Sequence, residues 1–224
     1  MDLRQSGGSI RAGRYHTITA GGGTAVESGV YFGTLIVTGP VNAASCSGGA
    51  IDCRSGMLRC SGDMQVHALR GHGTIVVDGD LICDVVRFVG VIDVRGGIRC
   101  HTQLEVHGRL SGCGLVEADG IEVEGTLHAD ELHATRLRIW PLRALMFARP
   151  AMPDFATPSR VRTVDGDTVT AHQLHCSTMH AQTVELSEQC RIERLYGGSR
   201  FTDDGTSTVM LRSPDRPCRC RHAA

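Results

Sequence analysis

Apolar and polar residues alternate along this chain in short runs that return about every seventeen residues, from near the N-terminus to about residue 130. Each run follows the pattern Φ-x-Φ-x-Gly-x-Φ-x-Φ, where Φ is an apolar or small residue. Alternation is typical of half-buried strands, and a recurring central glycine indicates a turn of the backbone. Strands and turns at a fixed spacing predict a β-solenoid, in which each turn of chain stacks on the last.

Seven copies of the pattern can be aligned by their central glycines. After the second copy the alignment requires a six-residue insertion, and after the fifth a five-residue deletion. The aligned glycines are Gly22, Gly39, Gly62, Gly79, Gly96, Gly108 and Gly125. On this register Val77, Val94, Val106 and Val123 face the interior, whereas Arg95, Glu105 and Glu122 face solvent. About eight rungs at a spacing of ~4.8 Å predict a rod on the order of 40 Å long.

The apolar spacing shortens to five residues from Leu127 onward, through Leu132 and Leu137, and the same spacing returns between Val169 and Leu186. An inward pair followed by a three-residue step suits one face of a three-sided coil, so three such steps form a turn of about fifteen residues. Crossovers between parallel strands are right-handed in about 98% of cases. We therefore predict an all-β chain that forms a right-handed, three-sided parallel β-helix.

Proline and apolar composition divide the chain into four parts. The predicted parts are a main coil at residues 1–139, a Pro-rich aromatic insertion at 140–160, C-terminal rungs at 161–198, and a capping segment with a mobile tail at 199–224. The insertion contains Trp140 and four of the seven prolines, a density that excludes a central strand. We expect it to fold over the flank of the coil, and contact with a membrane or a partner is the alternative.

Composition limits the classes of partner. Aromatic residues make up only 4% of the chain and glycine contributes 28 residues, which suits a narrow core. A net charge of −1 argues against nucleic acid as a partner. The first residues do not resemble a signal peptide, and no run approaches the ~20 apolar residues of a membrane span, so we expect a cytoplasmic protein, with membrane association as a further option.

Ten cysteines raise the question of disulfides and metal sites. Five of them occupy inward positions of the repeat, where a free thiol acts as a small hydrophobe. These are Cys60, Cys83, Cys100, Cys176 and Cys190. Near the C-terminus Cys218, Cys220 and His222 are candidate zinc ligands, but their Cys-x-Cys spacing and the intervening arginines favour a solvated tail.

Three histidines beside Cys176 also cluster in the sequence, namely His172, His175 and His180. In the five-residue register His175 and His180 point outward from successive faces of the coil, so we expect solvated histidines that do not share a ligand. We therefore predict no metal and no other cofactor.

No nucleophile elbow, phosphate-binding loop or zinc-protease motif is present. Glu105, Glu117, Glu122 and Glu124 could pair across rungs, as carboxylates do in solenoid polysaccharide lyases and hydrolases. Such enzymes usually carry long insertions that build a cleft, and this chain has almost none. We therefore predict a protein that is not an enzyme and that binds no nucleotide.

Two regions resemble the polymer-forming cytoskeletal family, the bactofilins and bactofilin-like proteins of Gram-positive bacteria. The runs are Leu-Glu-Val-His-Gly-Arg-Leu at 104–110 and Ile-Glu-Val-Glu-Gly-Thr-Leu-His-Ala-Asp-Glu-Leu at 121–132, followed by Val-Asp-Gly-Asp-Thr-Val at 164–169 and Cys-Arg-Ile-Glu-Arg-Leu-Tyr at 190–196. The resemblance spans most of residues 3–198. It implies a right-handed β-helix that assembles end to end into nucleotide-independent filaments and acts as a scaffold, often near the membrane, without catalytic residues.

The ends of a solenoid favour self-association because terminal rungs expose unpaired backbone and apolar core. Little sequence precedes the first rung, so we expect Leu3, Ile10 and Ile18 to form the main self-contact. Ile192 and Leu195 mark the second candidate contact, at the better guarded C-terminal end. The predicted partner is another copy of the chain, with a membrane surface or a client protein as further options. A monomeric or dimeric β-helical binding module is the alternative, and a β-helical carbohydrate-active enzyme is less favoured.

Overall fold

The structure of this protein, a computed structural model, describes residues 1–142 and 157–214. These residues form fifteen strands and no helix, and the strands stack in parallel as a β-solenoid of about 12 turns. The predicted β-solenoid is therefore confirmed. At ~4.8 Å per turn the stack is on the order of 55 Å long, so the expected eight rungs and 40 Å are wrong. Its handedness and its number of sides stay predictions.

The strands lie in chain order along the stack. They are β1 Asp2–Ser6, β2 Ser9–Ile10, β3 Gly13–Gly21, β4 Thr24–Val26, β5 Val30–Val37, β6 Val41–Ala43, β7 Cys46–Cys53, β8 Met57–Cys60, β9 Met64–Val77, β10 Leu81–Val94, β11 Ile98–Trp140, β12 Ser159–His172, β13 Leu174–Ser187, β14 Arg191–Asp203 and β15 Thr208–Ser213.

Equivalent apolar residues of successive turns are direct strand partners, and their side chains stack in columns inside the coil. Each member of one such column is at most 1% exposed. This column is Ile18, Leu35, Ile51, Leu69, Val86 and Leu104. A second buried column consists of Ile10, Val26, Ala43, Cys60, Val77 and Val94. Because each column is continuous, turns have no separate cores and the solenoid has one apolar interior.

The predicted six-residue insertion and five-residue deletion are wrong. Leu35 pairs with Ile51 and not with Leu58, whose partners are Val41 and Ile75. The same shift occurs later, where Leu104 pairs with Val86 and not with Ile92. The turns between strand partners therefore keep a length of 15 to 18 residues through this part of the coil.

The misalignment arises because the coil has two separate columns of stacked glycines. One glycine column runs without a break through seven turns: Gly22, Gly39, Gly56, Gly73, Gly90, Gly108 and Gly125. A separate column contains Gly62, Gly79 and Gly96. Glycines of both columns stand between apolar or small residues in the sequence. An alignment of the sequence alone therefore matched glycines of one column with glycines of the other, and it needed an insertion and a deletion to do so.

Close stacking explains why the long column requires glycine. Gly90 has a φ of +129°, and a Cβ atom built there would overlap the carbonyl oxygen of Gly73 in the preceding turn. Backbone atoms of the two turns therefore lie where a side chain would otherwise be. Gly108 repeats this arrangement against Gly90.

The predicted inward residues Val77, Val94, Val106 and Val123 are all 0% exposed. Arg95 is exposed, as predicted, and Glu105 and Glu122 are partly exposed. The five cysteines predicted to face inward are also buried, and with Cys46, Cys53 and Cys113 they form a set of eight free, buried thiols in the described part of the chain.

The coil continues across the predicted insertion. β12 pairs directly with β11, for example through Leu132 and Val164, although residues 140–160 separate the predicted coil segments. Most of that insertion lies outside the described residues. The fifteen-residue turn is confirmed between β12 and β13, where Val169 pairs with Val184. The boundary predicted at residue 198 falls inside β14, and β15 adds a further strand to the stack.

Candidate functional site

The N-terminal end of the coil is closed more completely than predicted. Ile10 is 1% exposed and Ile18 is 0% exposed, so the prediction that both lie open at the first rung is wrong. Leu3 is partly buried and packs against the core. Ile18 is covered because it lies in the second turn, between its strand partners Leu3 and Leu35.

Tyr15 contributes to this closure. Its side chain packs against the core, in line with Phe32 of the next turn. Its hydroxyl donates a hydrogen bond to the carbonyl oxygen of Arg11 (3.0 Å), which holds the ring against the first turn. A partly buried aromatic ring with a bonded hydroxyl covers apolar surface without leaving a polar group unsatisfied.

Backbone groups at both ends of the stack are less well covered than the core. Within the described residues β1 pairs only with β3, and β15 pairs only with β14. Each of these two strands therefore presents one row of N–H and C=O groups to which no described strand is bonded. An edge of this kind is a template for pairing with another strand.

The C-terminal end places the candidate residues Ile192 and Leu195 inside the coil. Both are 0% exposed, because β15 stacks on them through the pairs Ile192–Val209 and Leu195–Arg212. The last described turn, and not the turn of Ile192 and Leu195, therefore forms this end.

A charged residue terminates the apolar column at this end. The column of Leu132, Val164, Met179 and Leu195 reaches Arg212 in β15. The Arg212 guanidinium lies 4.6 Å from the ring centroid of Phe201 and donates a hydrogen bond to the carbonyl oxygen of Gly198. A cation at this position opposes the direct stacking of another apolar turn, because burial of an unpaired charge is costly.

Two apolar side chains flank this closed end. Met210 and Leu211 on β15 are 56% and 53% exposed, and they are adjacent in sequence on the edge strand. The C-terminal end thus combines an exposed cation over the apolar interior, an apolar rim and a backbone edge.

A shallow groove lies on the flank of the coil, between β5 and β11. Its volume is 390 Å³, and Phe32, Gly48, Gly49, Val66 and Cys83 contribute to its lining. Gly48 and Gly49 have no side chains to fill the space, and the ring of Phe32 occupies the position that a Cβ atom of Gly48 would take. Tyr31, 54% exposed, also lines the groove and lies 5.7 Å from the Arg14 guanidinium.

Polar residues from three successive turns line the same groove. The Asp84 carboxylate accepts hydrogen bonds from His67 Nδ1 (2.9 Å) and His101 Nδ1 (2.7 Å), one turn before and one turn after it. These bonds, first from His101 and then from His67, lower the pKa of the Asp84 carboxyl below its usual value. The three residues are spaced seventeen apart, so the repeat itself could have identified them.

Another histidine bridges two of the carboxylates considered for catalysis. His107 contacts Glu105 Oε1 (3.0 Å) and Glu124 Oε2 (2.7 Å). The hydrogen bond with Glu105, followed by that with Glu124, raises the pKa of His107 above its ordinary value. These two glutamates are thus paired through a histidine, and Glu117 stands apart as an exposed residue.

The histidines near Cys176 do not behave as predicted. His180 is only 7% exposed and stacks on Tyr196, with ring centroids 4.8 Å apart. His172 shares a hydrogen bond with Ser187 Oγ (2.7 Å) and packs against Trp140. The prediction of solvated histidines is therefore wrong for His172 and His180, because neighbouring turns cover these outward positions with aromatic rings, whereas His175 is partly exposed. In the part of the chain that the structure describes, no three His, Cys, Asp or Glu residues are grouped to bind a metal. Cys218, Cys220 and His222 lie outside it.

Sequence reasoning missed Tyr15 and Arg212 as the residues that close the two ends. A signal existed for Arg212, since it follows Leu195 by seventeen residues and so occupies an inward position. Comparisons with known proteins identify no relative: no protein-family model, curated protein or solved structure matches this chain. Across residues 1–142 and 157–214, no helix has the length and apolar character needed to cross a membrane.

Proposed function

We propose that this protein is a non-enzymatic structural scaffold that self-associates through the ends of its β-solenoid into nucleotide-independent polymers, as the resemblance to bactofilins implies. The observation that carries the proposal is the pair of edge strands, β1 and β15, at opposite ends of one continuous parallel stack. A rod with a pairing edge at each end can extend through alternating head-to-head and tail-to-tail contacts.

The contact must form through backbone edges and rims, because Tyr15 and Arg212 close the interior at the two ends. The rod would therefore not merge its core with that of a neighbour. Each contact would instead add backbone hydrogen bonds and a small set of side chains, which suits a reversible polymer.

The charges on β1 are self-complementary. Asp2 and Arg4 are exposed on this strand, and Leu3 between them faces the interior. A two-fold antiparallel pairing of two β1 strands centred on Leu3 would place Asp2 of each copy opposite Arg4 of the other. Directly opposite side chains in an antiparallel pair lie about 4.5–5.5 Å apart, within reach of an ion pair.

This arrangement gives a charge-reversal test at the N-terminal contact. Arg4→Asp should replace two attractive pairs by two repulsive ones. At about 0.2–1 kcal/mol per exposed pair, the loss is on the order of 1–4 kcal/mol per contact, or at least several-fold in the dissociation constant. Adding Asp2→Arg to Arg4→Asp should restore complementarity and recover assembly.

The readouts are negative-stain electron microscopy and sedimentation velocity of the wild type, both single variants and the double variant. Asp2→Arg alone is needed as a control because Asp2 Oδ1 accepts a hydrogen bond from Thr17 N (3.1 Å) within the same copy. Val89→Asp is the matched surface control, since Val89 is 53% exposed in a middle turn. Equal assembly of all variants would reject the β1 contact.

A second candidate function is a monomeric or dimeric β-helical binding module, and the flank groove favours it. The groove combines an apolar floor with the His67–Asp84–His101 row. Wild-type protein that sediments as a monomer at every concentration would favour this function over the scaffold. We further propose a cytoplasmic location, with a membrane surface or a client protein as an additional partner of the flank.

A further inference from the structure

The buried thiols of Cys83 and Cys100 occupy directly opposite positions on neighbouring turns. Cys83 in β10 and Cys100 in β11 are strand partners, and both side chains face the interior. Neighbouring strands lie about 4.8 Å apart. That separation falls within the Cα–Cα range of about 4.4–6.8 Å that a disulfide can span.

The two thiols also interact with each other. A side-chain hydrogen bond between them raises the pKa of Cys83 and lowers that of Cys100, to about 7. Backbone groups of residues 86, 102 and 103 further favour the ionised form of Cys100. The buried thiols of Cys113 and Cys176 have no such partner, and burial raises the pKa of each to about 12.

The flank groove reaches one member of this pair. Cys83 lines the groove together with Asp84 and His101, which are the neighbours in sequence of the two cysteines. A further cysteine pair, Cys46 and Cys60, also interacts through a side-chain hydrogen bond. Both of those residues are 0% exposed and neither lines the groove.

We propose that Cys83 and Cys100 form a reversible dithiol–disulfide site that reacts with hydrogen peroxide. The Cys100 thiolate attacks one peroxide oxygen, the O–O bond breaks, and the hydroxide that leaves takes up a proton to form water. The Cys83 thiol then attacks the resulting sulfenic acid, an S–S bond forms and a second water leaves. Two electrons pass from the thiols to the peroxide, and a thiol reductant restores the pair by exchange.

Tryptic peptide mapping tests this site directly, because each cysteine lies alone in its own peptide. Cys83 is in peptide 71–87 and Cys100 is in peptide 100–109. The folded, full-length protein is treated with hydrogen peroxide, its remaining thiols are alkylated, and the digest is analysed by mass spectrometry. We expect a linked species of these two peptides, lighter by two hydrogen atoms than their sum, that disappears after treatment with dithiothreitol.

The remaining cysteines serve as internal controls. Cys113 and Cys176 should stay alkylatable. A link between peptide 15–54, which contains Cys46 and Cys53, and peptide 60–70, assigned to Cys46–Cys60 by fragmentation, should form more slowly because neither Cys46 nor Cys60 lines the groove. Cys83→Ala should abolish the linked species while circular dichroism remains that of a β-rich fold. Should the variant lose its fold, the time course of the wild type alone still decides the outcome.

Two results would overturn the proposal. One is alkylation of Cys83 and Cys100 to the same extent as Cys113, when the folded protein is treated with peroxide and then denatured in the alkylating agent so that buried thiols can react. The other is formation of the Cys46–Cys60 link as fast as the Cys83–Cys100 link, which would show that the groove plays no part. Neither result bears on self-association, so the scaffold and the dithiol site can fail independently.

Discussion

Substitution of Gly90 by alanine should unfold the middle of the coil much more readily than the same change elsewhere. Gly90 has a φ of +129°, and its Cβ would overlap the carbonyl oxygen of Gly73. A side chain at positive φ costs about 1–2 kcal/mol. Overpacking against a neighbour that cannot move adds roughly 1–3 kcal/mol. We therefore expect Gly90→Ala to lower the free energy of unfolding by about 2–5 kcal/mol.

Two other glycines separate these contributions. Gly23 has a φ of +80° but nothing within 4 Å of a built Cβ, so Gly23→Ala should cost only the backbone part, about 1–2 kcal/mol. Gly114 lacks both features. Gly114→Ala should therefore be neutral or stabilising by up to about 1 kcal/mol, since alanine restricts the unfolded chain.

Urea unfolding followed by far-ultraviolet circular dichroism measures the three free energies, and hydrogen exchange locates the effect. Because a solenoid is stabilised by contacts between neighbouring turns, exchange in Gly90→Ala should accelerate first in β9 and β10. If Gly90→Ala and Gly114→Ala unfold at the same urea concentration, the stacked glycine column does not constrain the fold and the reasoning is refuted.

Other changes test the core, the charged networks and the ends. Val106→Asp should lower stability by several kcal/mol, because Val106 is 0% exposed and an unpaired charge would be buried; urea unfolding of Val106→Ala, which adds only a cavity, is the comparison. The pKa of His107, raised by Glu105 and Glu124, should fall in Glu105→Gln when followed by NMR. Because the pKa of His107 is higher in the folded protein than in the unfolded chain, the protonated histidine stabilises the fold fully at a pH below the unfolded-state pKa of about 6.5. The difference in free energy of unfolding between wild type and Glu105→Gln should therefore disappear as pH rises through the folded-state pKa. Arg212→Leu should increase tail-to-tail association in sedimentation velocity, because it replaces the terminal cation by an apolar side chain; unchanged sedimentation would contradict the role given to Arg212. Addition of ATP or GTP should leave the assembly state unchanged, and a strong nucleotide dependence would contradict the proposed scaffold.

The core could be predicted residue by residue because burial in a strand follows a period of two. Val77, Val94, Val106 and Val123 were identified from alternation alone, and the five-residue spacing also identified Val169 and Val184. Such local patterns survive folding because the strand backbone places successive side chains on opposite faces.

The candidate contacts at the ends were predicted less well. Ile10 and Ile18 were expected to be open, yet both are buried. Exposure at an end depends on which side chains lie across that end of the coil. Tyr15 is held there by its hydrogen bond to Arg11. Arg212 is held there by its contacts with Phe201 and Gly198. An apolar pattern carries no information on such contacts.

The amino-acid sequence by itself determined that this chain is a β-solenoid and which face of each strand is buried, since alternation and glycine spacing are local properties of the chain. Only the tertiary structure decided which residues of neighbouring turns are strand partners. Leu58 stacks on Val41 and not on Leu35, and Gly90 stacks on Gly73, because the space available between turns selects one glycine column from two that read alike. Cys83 and Cys100, like His67, Asp84 and His101, are seventeen residues apart and so follow the repeat, but only the structure showed that Asp84 contacts both histidines.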